Sequence, residues 1–389
     1  MSETLIVGGG LIGLAIGWQL AKAGRSVTVI ERDARGSNPT GASWAAAGML
    51  APLAEVGFNE PALLALSRSS LEMYPDFAAE LEADAGQGVG YRTEGTLIVA
   101  LDSDDAAWLR RQYDFQQSLG LPTRWMDGNE AREQEPHLAP TVTAAAFAPT
   151  DHQVDNRRLL TALREAFTRA GGDLREGMEV VRIQHDGDRA RGVWVRPSDN
   201  AGADPELLEA PQIVVCAGAW TRLLMANNLP APAVPPIRPV KGQLLSLTMS
   251  PLLKLSYVIR TRRVYLVPKL DGRLVIGATS EDVGFDTQLT AGGLLELLRD
   301  AWEAVHGVYD LPVRESWAGL RPASRDHAPV LGPTPLSGLH LAVGHYRNGV
   351  LLTPATARLM CEFLLTGEVP EAMQPFGLAR FHKRTRVHA

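Results

Sequence analysis

Four residues near the start of this 389-residue chain have the types and spacing for nucleotide chemistry. Gly8, Gly10 and Gly13 fit G-x-G-x-x-G in the run VGGGLIG, and Glu31 stands 18 residues after the last of them. The first glycine allows a tight turn out of a strand. The second lets the backbone approach a pyrophosphate, and the third lets a helix pack close to the strand. Unpaired N–H groups and the positive dipole end of that helix favour phosphate oxygens. A carboxylate at the end of the next strand can accept hydrogen bonds from ribose hydroxyls, and Arg32 adjoins it. A glycine-rich loop alone is often only a turn. Here it follows an apolar run, opens a helical pattern and precedes the acid, and that conjunction points to a dinucleotide.

Glu31 suits NAD and FAD alike. Two features favour FAD. The chain has a single fingerprint, so it does not carry a flavin site and a nicotinamide site together. Near its end a second loop runs into a helix, with Thr353 as the expected N-cap and Pro354 as the first helical residue. A helix N-terminus aimed at a flavin would stabilise negative charge on the reduced ring.

The elements that must position these residues follow from periodicity. Apolar 5–7, the glycine loop, a helical stripe up to Gly24 and the strand 27–30 form one β-α-β unit. A small-residue loop spans 40–50, helices are expected at 61–83, 104–119 and 156–170, and strands at 95–101 and around 179–196. The run IVVCAG at 213–218 reads as a buried parallel strand meeting a glycine turn. After a proline-rich link at 230–239 the pattern changes to hairpin-type strands at 241–249, 263–268 and 273–278, with Asp271-Gly272 as a turn signal. A helix near 291–306, strands near 313–319 and 339–343, and a helix at 354–365 complete the chain. The fold class is α/β, α+β in its whole, with a Rossmann-type unit and a smaller, mostly antiparallel domain.

Composition narrows the function. The chain is 45% hydrophobic with a formal net charge of −6, and its most basic stretch, 380–386, reads as a solvated tail, so no nucleic-acid partner is expected. No apolar run is long enough for a membrane span, and Met1-Ser2-Glu3 lacks the basic start of a signal peptide. Cys216 and Cys361 form no CxxC and no zinc-type cluster, so neither a metal site nor a disulfide is expected, and a cytoplasmic setting fits.

The segments VGGGLIG, AAAGML at 45–50, VVCAGAW at 214–220, WAGLRP at 317–322 and GHYRNGVLLTPAT at 344–356 occur in this order along nearly the whole chain. Together they resemble the D-amino-acid oxidase superfamily of FAD-dependent amine oxidoreductases, most of all its glycine oxidase branch of thiamine biosynthesis. The resemblance implies a discontinuous FAD-binding domain at 1–85, 150–222 and 320–389. It implies a substrate-binding domain, antiparallel and covered by helices, at 86–149 and 223–319. It further implies oxidation of glycine, sarcosine, D-alanine or D-proline. Hydride leaves Cα for the flavin, the imine hydrolyses to a 2-oxo acid and ammonia or amine, and O2 accepts the electrons to give H2O2. A homotetramer and non-covalent FAD are expected on the same ground.

Residue by residue, the resemblance makes Arg321 the carboxylate-binding arginine, which a planar guanidinium does with two parallel hydrogen bonds. It makes Tyr265 a second carboxylate contact, and places Arg347 near the substrate amine. Asn348, Gly349, Val350 and Leu351 are expected along the pyrimidine end of the flavin, and Ala47, Gly48 and Met49 beside its ring. Val180 is expected at the adenine, and Ala217 and Gly218 at the turn passing the cofactor. Arg263 and Ser280 depart from the pattern, and an extra cation with a small polar neighbour could shift substrate size or charge. Lys241 resembles a lysine that assists oxygen in sarcosine oxidases, and a strand-start surface lysine is the competing reading. His345 is discounted as a base, because hydride transfer from a neutral amine needs orientation and desolvation more. A D-amino-acid dehydrogenase passing electrons to a quinone or carrier would share almost every motif. A non-catalytic flavin protein would have no use for the arginine–tyrosine pair, and an NAD dehydrogenase would leave the C-terminal loop unexplained.

Overall fold

The computed structural model describes residues 2–34, 41–55 and 60–382. Strand Thr4–Val7 lies inside a six-stranded sheet, between Val27–Glu31, which is followed by the edge strand Asp173–Glu176, and Gln212–Val215, which is followed by Leu339–Val343 and the other edge, Val330–Pro333. Its pairs are parallel except the last. Leu5, Ile6, Ile213, Val214, Leu339 and Leu341 are all buried, which is why these strands are apolar on consecutive positions and do not alternate. Helices Leu11–Lys22, Pro61–Ala85, Asn156–Arg169 and Thr353–Thr366 cover one face through a core containing Trp18, Phe77, Phe167 and Phe363. A three-stranded antiparallel sheet, Met178–Asp186, Arg189–Pro197 and Glu206–Glu209, covers the other with Ile183, Val193 and Val195.

The second sheet has eight strands. Val313–Ala323 is its edge, followed by Arg238–Thr248, Arg273–Gly277, Tyr265–Pro268, Val258–Arg260, Thr96–Ala100, Ala144–Ala148 and Arg124–Asp127. All pairs are antiparallel except Thr96–Ala100 with Val258–Arg260. Helix Ala291–Ala304 seals one face with Leu297, Ala301 and Ala304. The fold is thus the mixed α/β architecture expected, with parallel units and hairpin strands in the anticipated order.

The differences have physical reasons. Strand Ala144–Ala148 is small and featureless as a sequence, and is a strand only because it is clamped between two partners. Asp173–Glu176 and Glu206–Glu209 are edge strands with charged residues, so no apolar pattern marks them. The 40–50 segment, expected as loop, holds helix Ala42–Ala45 and strand Met49–Leu50, while Thr40 lies outside the described residues. Of the basic tail, Arg380 pairs with Asp326 and residues from 383 lie outside the described part. The breaks expected at 222/223 and 319/320 fall inside helix Thr221–Ala226 and strand Val313–Ala323, since pairing with Arg238–Thr248 carries that strand to Ala323.

Candidate active site

A cavity of about 990 Å³ runs from the parallel sheet to the antiparallel one. Its first end is made by backbone. Gly8, with φ of 112°, turns out of strand Thr4–Val7, and a Cβ there would sit 2.5 Å from the Cys216 carbonyl oxygen. A Cβ on Gly13 would collide with the Gly8 carbonyl oxygen, so helix and strand approach this closely only because residue 13 is glycine. Gly13 itself does not line the cavity, whereas Gly8, Gly10 and Ile12 do. The N–H groups of Gly10 and Ile12 have no protein acceptor among the described residues, while Leu11 N–H donates to Ser43 Oγ at 3.0 Å. This is an anion cradle at the start of a twelve-residue helix.

Glu31 closes the cradle. Its Oε2 accepts from Gly9 N–H at 2.6 Å and its Oε1 from Asp33 N–H at 2.9 Å, and each oxygen keeps a lone pair for a further donor. Burial pushes its carboxyl above the ordinary range, against the two backbone donors. The Arg32 guanidinium lies 4.5 Å from the Trp220 ring centroid, and Val180, Ala217 and Gly218 line the same stretch.

In the middle, two segments face the cavity. Ala47, Gly48 and Met49 come from one, Asn348, Gly349, Val350 and Leu351 from the other. Residues absent from the sequence reading hold them. Asn156 Nδ2 donates to the Ser43 and Trp44 carbonyls at 2.9 Å each, and Trp317 Nε1 to the Ala45 carbonyl at 2.9 Å. Tyr74 Oη donates to Val350 O and Ser70 Oγ to Leu351 O, both at 2.6 Å. Behind Gly48 the buried Lys269 donates to Val154 O at 2.8 Å, and desolvation pushes its ammonium down to about 7. No local signal marks these residues, because their partners lie up to 281 positions away.

The second end is made by side chains on the eight-stranded sheet. Tyr265, as its alternation predicts, faces away from Val264 and Leu266, which sit in the core. It pairs in register with Gly277 and Arg260, and all three cross-strand neighbours share a face. Arg321 lies two and four residues beyond Gly319 and Trp317, on that same face. Gly242, Gly277 and Gly319 keep the sheet bare. A Cβ on Gly242 would run into the Arg321 guanidinium, one on Gly277 would lie 2.6 Å from Tyr265 Oη, and one on Gly319 would strike Ala45 Cβ. Glycine inside a strand pattern was the available signal for this close approach.

Arg321 Nη1 donates to the Thr279 and Lys241 carbonyls at 3.1 and 3.3 Å, which fixes the guanidinium. Among the described residues it has no carboxylate partner. Arg347 also lines the cavity, with its guanidinium carbon 5.2 Å from the Tyr346 ring centroid. Arg263 and Ser280 line it too, but the Arg263 charge is already met by Glu303 at 3.2 Å and Asp300 at 3.8 Å. Lys241 is neither an exposed strand-start lysine nor a cavity-lining one. It is buried, with Glu281 at 3.3 Å and Asp286 at 3.7 Å. Thr353, expected as the N-cap, is the first helical residue. Leu352 caps, and Thr353 Oγ1 donates to Gly349 O at 2.8 Å. His345 is buried, sits 3.1 Å from Thr356 Oγ1, and burial pushes its imidazole down to about 3.

A phosphate cradle with a ribose-type acid, joined by one cavity to an unmatched arginine, agrees with the comparison to known proteins. The family described as FAD dependent oxidoreductase matches residues 3–363. The chain belongs to that family. A glycine oxidase of Geobacillus kaustophilus is 36% identical over 380 residues, covering 97% of each chain. The crystal structure of glycine oxidase from Geobacillus kaustophilus superposes with a TM-score of 0.87 at 35% identity, covering 97% of this chain and 98% of that one. The bifunctional protein ThiO/ThiG of Trichormus variabilis is 34% identical over 385 residues, and this chain spans 98% of itself but only 55% of that relative.

As a member of this family the protein is a flavoprotein that uses FAD, and its residues fit the group. The bare glycine cradle, with N–H groups that meet no acceptor among the described residues, suits a pyrophosphate, and the cavity of about 990 Å³ continues from it to the eight-stranded sheet. Among the described residues no cluster of three or more His, Cys, Asp or Glu could hold a metal ion, and no helix is long and apolar enough to cross a membrane. Cys216 lies under the cradle with its thiol pushed up by burial.

Proposed function

We propose that this flavoprotein oxidises the Cα–N bond of glycine or another small amino acid, and that this imine chemistry serves thiamine thiazole synthesis. The observation that carries the reading is the Arg321 guanidinium, fixed by two backbone carbonyls, facing a cavity continuous with the FAD cradle, and without a carboxylate partner among the described residues. The guanidinium is half-buried, its planar fork matches a carboxylate with two parallel hydrogen bonds, and a substrate carboxylate is the natural complement. The glycine oxidase and ThiO/ThiG relatives support the substrate and the pathway.

Bound FAD supplies the two-electron acceptor. Arg321 binds the carboxylate in a fork, and Tyr265 Oη, beside Gly277, donates to the same group or its neighbour. Holding the carboxylate fixes Cα and its hydrogen relative to the Ala47–Met49 and Asn348–Leu351 segments. The amine must arrive neutral. His345, kept uncharged by burial, adds no positive charge against it. The products are an imine, hydrolysed to a 2-oxo acid with ammonia or amine, and reduced cofactor.

We further propose O2 as acceptor, yielding H2O2, and a cytoplasmic homotetramer with non-covalent FAD. Two unpaired cysteines suit a reducing compartment. Exposed Leu295 and Trp302 on one helix provide apolar surface of the kind subunit contacts cover. Anaerobic addition of glycine, sarcosine, D-alanine or D-proline should bleach the flavin, and air should restore it with peroxide formed. Flavin that bleaches but is restored only by a quinone would favour the dehydrogenase. Flavin that no amino acid bleaches would sink the reading.

A further inference from the structure

Two non-glycine residues among those described have left-handed backbone, His327 with φ of 61° and Tyr346 with φ of 49°. Such conformations are disfavoured for residues with a bulky side chain and persist only where the surroundings over-determine them. The two lie on different loops, and their rings stack, with centroids 4.4 Å apart and planes 19° from parallel. Strain at both partners of one contact points to that contact as its reason.

The surroundings hold both backbones in place. His327 N–H donates to Ser324 O at 3.3 Å, and Tyr346 N–H to Pro322 O at 3.0 Å. Ser324 Oγ donates to Ala328 O at 2.6 Å, and Arg380 grips Asp326 with donors at 2.8 and 3.0 Å. Ala323 and His345 form a bridge between the two loops. Tyr346 and Arg347 line the cavity and His327 does not, and the Arg347 guanidinium rests near the Tyr346 ring. The loop that follows the strand carrying Arg321 thus reaches round, through His327, to the loop carrying Arg347.

We propose that His327 is a positioning residue that holds the Tyr346 ring, and through it Arg347, at the substrate end of the cavity. Gly would satisfy the backbone at 327 more easily; the imidazole is there for its face. This rests on the proposed substrate site, and the first measurement below does not need that site to be right.

His327→Asn keeps a residue that tolerates left-handed backbone and removes the ring. Hydrogen exchange of the 344–349 amides should become faster in this variant and return to wild type in His327→Phe, which restores an aromatic face. Unchanged exchange in His327→Asn would overturn the proposal, whatever the substrate proves to be. For function, glycine KM, and the dissociation constant of glycolate read from flavin absorbance, should each rise about fivefold in His327→Asn with kcat within about twofold. His327→Phe should recover both. A double variant with Tyr346→Leu should be no worse than Tyr346→Leu alone, and additive losses would show that His327 does not act through Tyr346. If His327→Asn loses flavin or fails to fold, His327→Gly, which relieves the backbone and still lacks the ring, carries the same tests. Wild-type protein that neither binds glycolate nor oxidises glycine, with exchange nonetheless accelerated in His327→Asn, would sink the functional reading and leave the stack standing.

Discussion

The two ends of the cavity are built on opposite plans. At the FAD end the recognising groups are backbone N–H groups, and the side chains that matter are mostly absent ones: Gly8, Gly10 and Gly13. At the proposed substrate end the groups that face the cavity are long side chains, Arg321 and Tyr265, and the glycines under them make room for those side chains. A backbone site is written in one contiguous stretch. A side-chain site on a sheet is gathered from strands at 238–248, 265–268, 273–277 and 313–323. Damage should therefore differ in kind: loss of cofactor at the first end, loss of affinity or turnover with cofactor retained at the second.

The largest test is Gly13→Val. A Cβ there collides with the Gly8 carbonyl oxygen, so the variant should purify without flavin or not fold at all. A yellow, active Gly13→Val protein would break the comparison at its first end. Next is Arg321→Ala, which should keep its flavin spectrum while kcat/KM for glycine falls by about 10² to 10³, the effect of removing one partner of a buried charge pair. Steady-state kinetics alongside flavin content decides it, and joint loss of both would show the two ends are not separable.

Acid should act on a third feature, the buried neutral histidines of the C-terminal strand and flavin loop. Burial pushes His340 down to about 4 and His345 to about 3, both below the 6.5 of the unfolded chain. The unfolded state therefore binds more protons in this window. Stability is complete above about pH 6.5 and falls, on the order of 3 kcal/mol for each histidine by pH 4, as the pH drops toward those values. Thermal melts followed by flavin fluorescence should show the decline, and His345→Asn should flatten it. Equal slopes in the variant and wild type would refute the assignment to His345.

Two smaller changes sharpen the substrate end. Gly242→Ala pushes the Arg321 guanidinium, and glycine KM should rise about tenfold with little change in flavin binding. Tyr265→Phe removes one hydrogen bond to a carboxylate, about 1.5 kcal/mol, and should cost about tenfold in kcat/KM. A Tyr265→Phe enzyme as damaged as Arg321→Ala would mean the phenol does more than help bind a carboxylate.

What could be read in advance follows the same division. The β-α-β unit was legible because glycine spacing, apolar strand and acidic end are local. Tyr265 was legible in direction, because strand alternation places it opposite Val264 and Leu266. Arg321 and Arg347 came from resemblance of motifs, since an arginine carries no local sign of what it will face. The reading of Lys241 as a surface lysine fails, because only the structure shows it buried with Glu281 and Asp286 closing over its ammonium. The start of the last helix was set one residue late, because Leu352 has no side chain that advertises a cap.

The sequence by itself determined that a strand would turn through glycine into a helix, present unpaired N–H groups and end its partner strand in an acid. It also determined that a parallel unit and a hairpin-rich unit would share the chain. Only the tertiary structure decided which carbonyls fix Arg321, that three strand glycines clear its floor, that Asn156, Ser70 and Tyr74 hold the two central segments, and that His327 faces Tyr346. The reason is range. Turns, caps and alternation are set by sterics over a few residues, whereas these contacts join groups tens to hundreds of positions apart, and exist only once both sheets have packed.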